Sequence, residues 1–272
     1  MKPGPFSYQR AATLEDALST LRQHGPEARI LAGGQSLVAM LNMRLATPAI
    51  VVDIMHLAAL GDVRRERGAL RIGAAVRQAA LLARPELAAE VPLLARALPW
   101  VGHYQTRTRG TICGSVAHAD PSAEIPLCLA ALGGAVQLRS ARGARVVAAA
   151  DFFLGTMLTS RRDDEMIAAV TLPLARPGTG YGFAEIGRRH GDFAIVACAA
   201  VVEANTIRLA VGGVADRPVV HVLPRLDGAA LDDALNRIAW SLEARSDLHA
   251  TARYRRDLVR HLGRQAITEA KP

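Results

Sequence analysis

Two short segments carry the residues best suited to chemistry: Ala32-Gly33-Gly34-Gln35-Ser36 and Thr111-Ile112-Cys113-Gly114-Ser115. Both join small residues to a hydroxyl. Consecutive main-chain N–H groups in such turns converge on an anion, because glycine permits the conformations and close approach that a side chain blocks. Two such turns, about eighty residues apart, suggest a ligand with two linked phosphates. An ordinary β-turn accounts for either one alone. Neither follows the GxGxxG or GxxxxGK(S/T) spacing, so a standard dinucleotide fold or P-loop is not supported.

The second segment sits in a dense polar stretch, residues 101–126, with no helical or strand period, as in a loop shaped around a ligand. Cys113 among N–H groups reads as an acidified, reactive thiol or as a small space-filling residue; no base is identifiable beside it. His103 and His118 lack a third ligand at a metal-binding spacing. Asp120 and Glu124 suit acid–base work, anchoring of sugar hydroxyls, or capping of the next helix. Arg188 and Arg189 read as a solvated pair or a partner contact.

Regular elements must hold these turns. Thr13, with Asp16 three residues on, caps a helix over 13–24. A strand over 28–32 runs into the first Gly turn, a helix covers 36–44, and 50–54 is a buried strand. That makes one compact unit, residues 1–55. Residues 56–175 form a second: a strand at 69–73, helices at 78–83, 92–98 and 122–132, strands at 135–139 and 145–148 around Gly143, and a strand at 165–172. Residues 175–182, with one Pro and three Gly, read as a linker. A third unit, 176–272, has strands at 193–202 and 207–212 and helices at 231–242 and 249–266. The last helix places Tyr254, Leu258, Leu262 and Ala266 on one stripe.

Composition narrows the function. The chain has 272 residues, half of them hydrophobic, only 4% aromatic, and a net charge of +8. Its densest basic stretches, 64–71, 139–145 and 253–264, lack the interleaved stacking aromatics of a single-strand nucleic-acid binder. An Arg-rich surface, or a basic face meeting an acidic partner subunit, accounts for the charge. Three cysteines without a CxxC spacing exclude a self-contained four-cysteine cluster and fit a reducing cytoplasm. The N-terminus has no apolar signal region, and the apolar run at 194–202 is too short to span a bilayer.

The polar stretch from Val101-Gly102-His103 to Ala119-Asp120-Pro121-Ser122-Ala123-Glu124 resembles the flavoprotein (medium) subunits of the molybdenum hydroxylases, the carbon monoxide dehydrogenase and xanthine dehydrogenase family. The first turn with Met43-Arg44-Leu45, Pro48 and Val52-Asp53-Ile54 is similar to a second block of that family. Arg188-Arg189-His190-Gly191-Asp192-Phe193-Ala194 is similar to a third, and residues 247–256 to a fourth. The resemblance covers the whole chain in order. It implies an α+β fold: a two-subdomain FAD-binding domain of the vanillyl-alcohol oxidase (PCMH) type, then a smaller α+β C-terminal domain.

The resemblance further implies FAD between the subdomains, its pyrophosphate held by backbone of Ala32, Gly33, Gly34, Gln35 and Ser36 and of Thr111, Ile112, Cys113, Gly114 and Ser115. Glu124 is expected near the ribityl or ribose hydroxyls, with Asp120 in the same loop, and Leu172 and Phe193 against the ring system. No catalytic side chain and no metal ligand is expected. The implied function is that of an FAD-carrying electron-transfer subunit. It takes electrons from a 2Fe-2S small subunit, serves a large molybdopterin-binding subunit, and delivers to an external acceptor such as a quinone or NAD+. The rivals are a stand-alone flavin oxidoreductase of the same fold and a non-enzymatic nucleotide-binding module. The family's first Gly of the second turn is Cys113 here, which crowds the phosphate if that position needs a positive φ. Thr108 replaces an amide side chain.

Overall fold

The computed structural model describes residues 2–270. The first sheet is parallel, in the order β1 (Ser7–Arg10), β3 (Ile50–Asp53), β2 (Ala28–Leu31), with Gln9 and Ile30 both beside Val52. The central strand reads as an unbroken apolar run because both its faces are covered. Helix α1 (Leu14–His24) starts at a reciprocal cap, in which Thr13 Oγ1 accepts from Asp16 N–H and Asp16 Oδ2 accepts from Thr13 N–H, both at 3.1 Å. It buries Ala17, Leu18 and Leu21. Strand β2 ends at the first Gly turn, and α2 (Leu37–Asn42) follows it.

The second sheet is antiparallel, in the order β4 (Val63–Glu66), β5 (Ala69–Gly73), β10 (Met166–Pro173), β6 (Ala135–Ser140), β7 (Gly143–Ala148). Between β5 and β6 the chain makes α3 (Gln78–Leu82), α4 (Leu87–Glu90), α5 (Pro92–Ala97), α6 (Tyr104–Arg109), α7 (Ile112–His118) and α8 (Glu124–Leu132). The stretch expected to be a loop therefore holds two short helices. Each is under two turns long, too short for an apolar period to develop. Every residue of α8 is buried, because it packs on α5 and α7 and also against the third sheet. Helix α9 (Ala149–Phe152) and the hairpin of β8 (Phe153–Gly155) and β9 (Leu158–Thr159) lead into β10.

The third sheet is an antiparallel meander of β11 (Gly180–Ile186), β12 (Val196–Val202), β13 (Thr206–Gly212) and β14 (Val219–Pro224). Its strands alternate between two cores. Tyr181 and Phe183 join the core shared with α8, while Ala184, Val196 and Cys198 join a second core under α10 (Gly228–Ser241) and α11 (Ala252–Glu269). Two expectations are corrected here. Gly180 and Gly182 are strand residues; a Cβ on Gly182 would sit 2.8 Å from the Ala266 carbonyl carbon, so this glycine serves close approach of α11. Tyr254 is 45% exposed, and Arg255 is buried in its place beside Leu258, Leu262 and Ala266.

Candidate functional site

In the first turn, the N–H groups of Gly33, Gly34, Gln35 and Ser36 meet no protein acceptor among the described residues. The turn is closed by other bonds: Val38 N–H donates to Gly34 O, Met40 N–H to Ser36 O, both at 3.0 Å, and Gln35 Nε2 to Gly33 O at 3.2 Å. Gly34 has φ +73°, a conformation that strains any other residue. Gly33 lies flat on the end of α6: a Cβ there would fall 2.6 Å from Gly110 Cα and 2.7 Å from the Arg109 carbonyl carbon. Two glycines thus bring the two motif segments together, backbone against backbone.

The second segment is a helix start. Thr111 is the N-cap of α7, its Oγ1 accepting from Gly114 N–H at 2.9 Å and its carbonyl from Ser115 N–H at 3.2 Å. Ile112 N–H donates to Val76 O at 3.2 Å. The N–H groups of Ile112, Gly114 and Ser115 thus have partners, unlike those of the first turn. Cys113 is helical, with no positive φ, and points away into the core, its thiol donating to Ile72 O at 3.6 Å. It does not crowd the turn. The thiol is enclosed, and burial pushes it up to about 12, away from the acidified thiolate and toward the space-filling reading. Buried Gln78 donates from Nε2 to Thr111 O at 3.4 Å, while its Oε1 has no partner among the described residues. A lone glutamine in an apolar helix gave no sequence signal.

Beyond α7, Asp120 Oδ1 accepts from Ser122 N–H at 2.8 Å. Asp120 lines a cavity of about 960 Å³ with His103, Ser122, Arg188, Phe193 and Arg245. Phe193 is 66% exposed on this wall. Arg255 builds the wall from behind, donating to Ile195 O, Gly213 O and Asp247 Oδ2 at 2.6, 2.7 and 2.6 Å. The Arg188–Asp192 loop is pinned to the segment before α6. His190 lies over Trp100 with ring centroids 5.1 Å apart, and a Cβ on Gly191 would sit 2.6 Å from His103 Nδ1. Arg189 pairs with Asp192 at 3.0 Å, while Arg188 is exposed at the cavity.

Two expected site residues lie deeper. Glu124, at the start of α8, is 5% exposed; burial pushes its carboxyl up to about 7, with Asp120 adding and Arg107 opposing. Leu172 is 2% exposed, beside Leu70 in the sheet, which leaves essentially no surface for a ring. No group of three or more His, Cys, Asp or Glu suited to a metal ion occurs among the described residues.

Comparison with known proteins gives this arrangement a family. Residues 4–175 match the FAD binding domain in molybdopterin dehydrogenase, and residues 181–270 the CO dehydrogenase flavoprotein C-terminal domain. The chain is 36% identical to the nicotine 6-hydroxylase medium subunit of Paenarthrobacter nicotinovorans, over 99% of both chains. It is 34% identical to the carbon monoxide dehydrogenase medium chain of Afipia carboxidovorans, covering 100% of this chain and 98% of that one. Among solved structures, it superposes on reconstituted CO dehydrogenase from Oligotropha carboxidovorans with a TM-score of 0.95, at 33% identity over 99% of both chains. The chain belongs to the FAD-binding medium-subunit family of the molybdenum hydroxylases. It is an oxidoreductase subunit with an FAD-binding domain followed by a C-terminal domain. A match across whole medium subunits does not favour the stand-alone flavin enzyme or the nucleotide-binding module. No described helix is long and apolar enough to cross a membrane.

The residues present fit FAD. The first turn is a cradle that a Cβ would fill, its four N–H groups have no protein acceptor among the described residues, and an exposed aromatic stands on a cavity wall beyond α7.

Proposed function

We propose that the N–H groups of residues 33–36 hold the FAD diphosphate, with Thr111, Ile112, Cys113, Gly114 and Ser115 as the facing wall. Main chain suits this task, because oriented N–H dipoles neutralise an anion without adding a mobile cation. Ala32 ends the strand that delivers the turn. Asp120 and Glu124 present carboxyl oxygens to sugar or ribityl hydroxyls, and Phe193 supplies an apolar face for the ring. The observation that carries this reading is the seating of Gly33 on Arg109 and Gly110, beside four N–H groups without acceptors.

Bound FAD supplies stepwise electron transfer, from an iron–sulfur cluster on a partner to an external acceptor. The protein's own residues bind, orient and shield; none is needed as nucleophile or base. The partners are a large molybdopterin-binding subunit and a 2Fe-2S small subunit, and the complex is cytoplasmic. Relatives named as medium chains and complex subunits support this. The chain divides into residues 1–55, 56–175 and 176–272, each range holding one principal sheet. The test is the purified full chain loaded with FAD. It is expected to show a flavin band, bleach with dithionite and recover with an added quinone, yet hydroxylate no substrate alone. Autonomous substrate turnover overturns the subunit reading.

A further inference from the structure

One guanidinium holds the turn that leads into α6. The chain leaves a 3-10 turn at Leu98–Trp100 and bends through Val101 and Gly102 before α6 begins at Tyr104. Carbonyls at such a helical end lack partners within the helix and carry partial negative charge, so a cation suits the place. Here they converge on Arg107. Its Nη1 donates to Gly102 O at 2.7 Å and Val101 O at 2.9 Å, with Pro99 O at 3.4 Å. Arg107 is itself fixed on α6, its main-chain N–H donating to His103 O at 3.1 Å. Gly102 has φ +52°, a pivot that glycine leaves free. The two closest acceptors of Arg107 are the carbonyls on either side of that pivot.

The Arg188–Asp192 loop rests on this turn. A Cβ on Gly191 would lie 2.6 Å from His103 Nδ1 and 2.9 Å from Gly102 O, the carbonyl that Arg107 holds at the shortest distance. His190 covers Trp100, and Phe193 follows the loop onto the cavity wall. The other end of α6 has its own anchors. Gly110 N–H donates to Thr106 O at 2.7 Å, and Gly110 O accepts from Gln78 N–H at 2.8 Å. Those bonds fix the seat of Gly33, and the Arg107 side chain takes no part in them.

We propose that Arg107 is a positioning residue for the ring end of the cofactor: by locking the pivot at Gly102 it sets where His103, the Arg188–Asp192 loop and Phe193 stand. It acts through that turn and loop. The proposal rests on the FAD site proposed above and divides its labour along α6. The C-terminal end of the helix seats the diphosphate turn; the N-terminal end, through Arg107, seats the wall offered to the flavin ring. Loss of the guanidinium leaves the carbonyls without their donor and frees the pivot. The loop and Phe193 then shift, while the Gly33 seat stays.

The test compares FAD with ADP, which carries the diphosphate and lacks the ring, by calorimetric titration of the full chain and two variants. Arg107→Met is expected to raise the FAD dissociation constant about tenfold, near the lower end for hydrogen bonds to a charged group. The ADP constant is expected to stay within about twofold, and the visible circular dichroism of the bound flavin to change. Gly191→Ala forces the loop off His103 and leaves every charge in place, including that of Arg107 near Glu124. It is expected to show the same selective loss, and it decides the matter if Arg107→Met does not fold. Equal losses of FAD and ADP, or an unchanged FAD affinity in either folded variant, overturn the positioning role and leave the FAD site standing. A folded wild-type chain that takes up neither ligand overturns the FAD site, and the positioning role with it.

Discussion

Gly33→Ala isolates the contact on which the proposed cofactor site depends. The added Cβ would meet Gly110 Cα at 2.6 Å and the Arg109 carbonyl carbon at 2.7 Å, both backbone atoms that cannot swing aside. The Arg109 carbonyl oxygen is nearer still, so reaching an ordinary separation of 3.4 Å requires the two segments to part by more than about 0.8 Å. Overpacking of this kind costs about 1–3 kcal/mol. In the free variant the turns relax apart; in the bound form they must close again on one diphosphate. If the whole cost falls on binding, the FAD dissociation constant rises roughly 5- to 150-fold. Flavin fluorescence titration of the full chain reads this directly, and circular dichroism confirms that the variant folds. Gly4→Ala is the control, since a Cβ there meets nothing within 4 Å. A Gly33→Ala chain that binds FAD within twofold of wild type refutes the reasoning.

Other substitutions test other parts. Cys113→Ala is expected to leave FAD affinity within twofold and cost about 1 kcal/mol of stability by denaturant melting, because the thiol faces Ile72 O in the core; the wild-type thiol should resist an aromatic disulfide reagent until the chain unfolds. Arg255→Ala removes donors from Ile195 O, Gly213 O and Asp247, and should destabilise by about 3 kcal/mol in urea melts. Thr13→Ala removes one half of the cap of α1 and should cost about 1 kcal/mol in the same assay. The carboxyls of Glu124 and Glu185 are raised by burial to about 7 and about 9. The native chain therefore holds more protons than the unfolded one above the ordinary carboxylate range, and stability falls as pH rises through that window. Melting temperatures from pH 6 to 10 should decline, and decline less in Glu185→Gln.

Local signals carried much of this fold into the sequence. Thr13 with Asp16 announced α1, and the apolar run at β3 announced a buried strand, whose parallel pairing with β1 and β2 only the structure shows. Strand β1, Ser-Tyr-Gln-Arg, was not legible, because its neighbour β3 supplies the pairing and its own residues show no alternation. Gly180 and Gly182 read as linker because sequence cannot distinguish glycine for freedom from glycine for the close approach of Ala266. The buried place of Arg255 was hidden too: its partners are carbonyls 42 and 60 residues away. For the proposed site, motif resemblance singled out both Gly segments, yet not the different state of their N–H groups. The first offers four N–H groups without acceptors among the described residues, whereas Thr111 already accepts from Gly114 and Ser115 in the second. Leu172 carried the right residue type at a strand end, but its side chain is enclosed in the sheet.

The central claim is that this chain folds around one FAD. Titration of the purified full chain with FAD, followed by flavin fluorescence and by absorbance after removal of unbound cofactor, tests it most directly. Saturable binding at one FAD per chain is the predicted result. A folded chain that remains colourless and takes up no FAD would contradict the account.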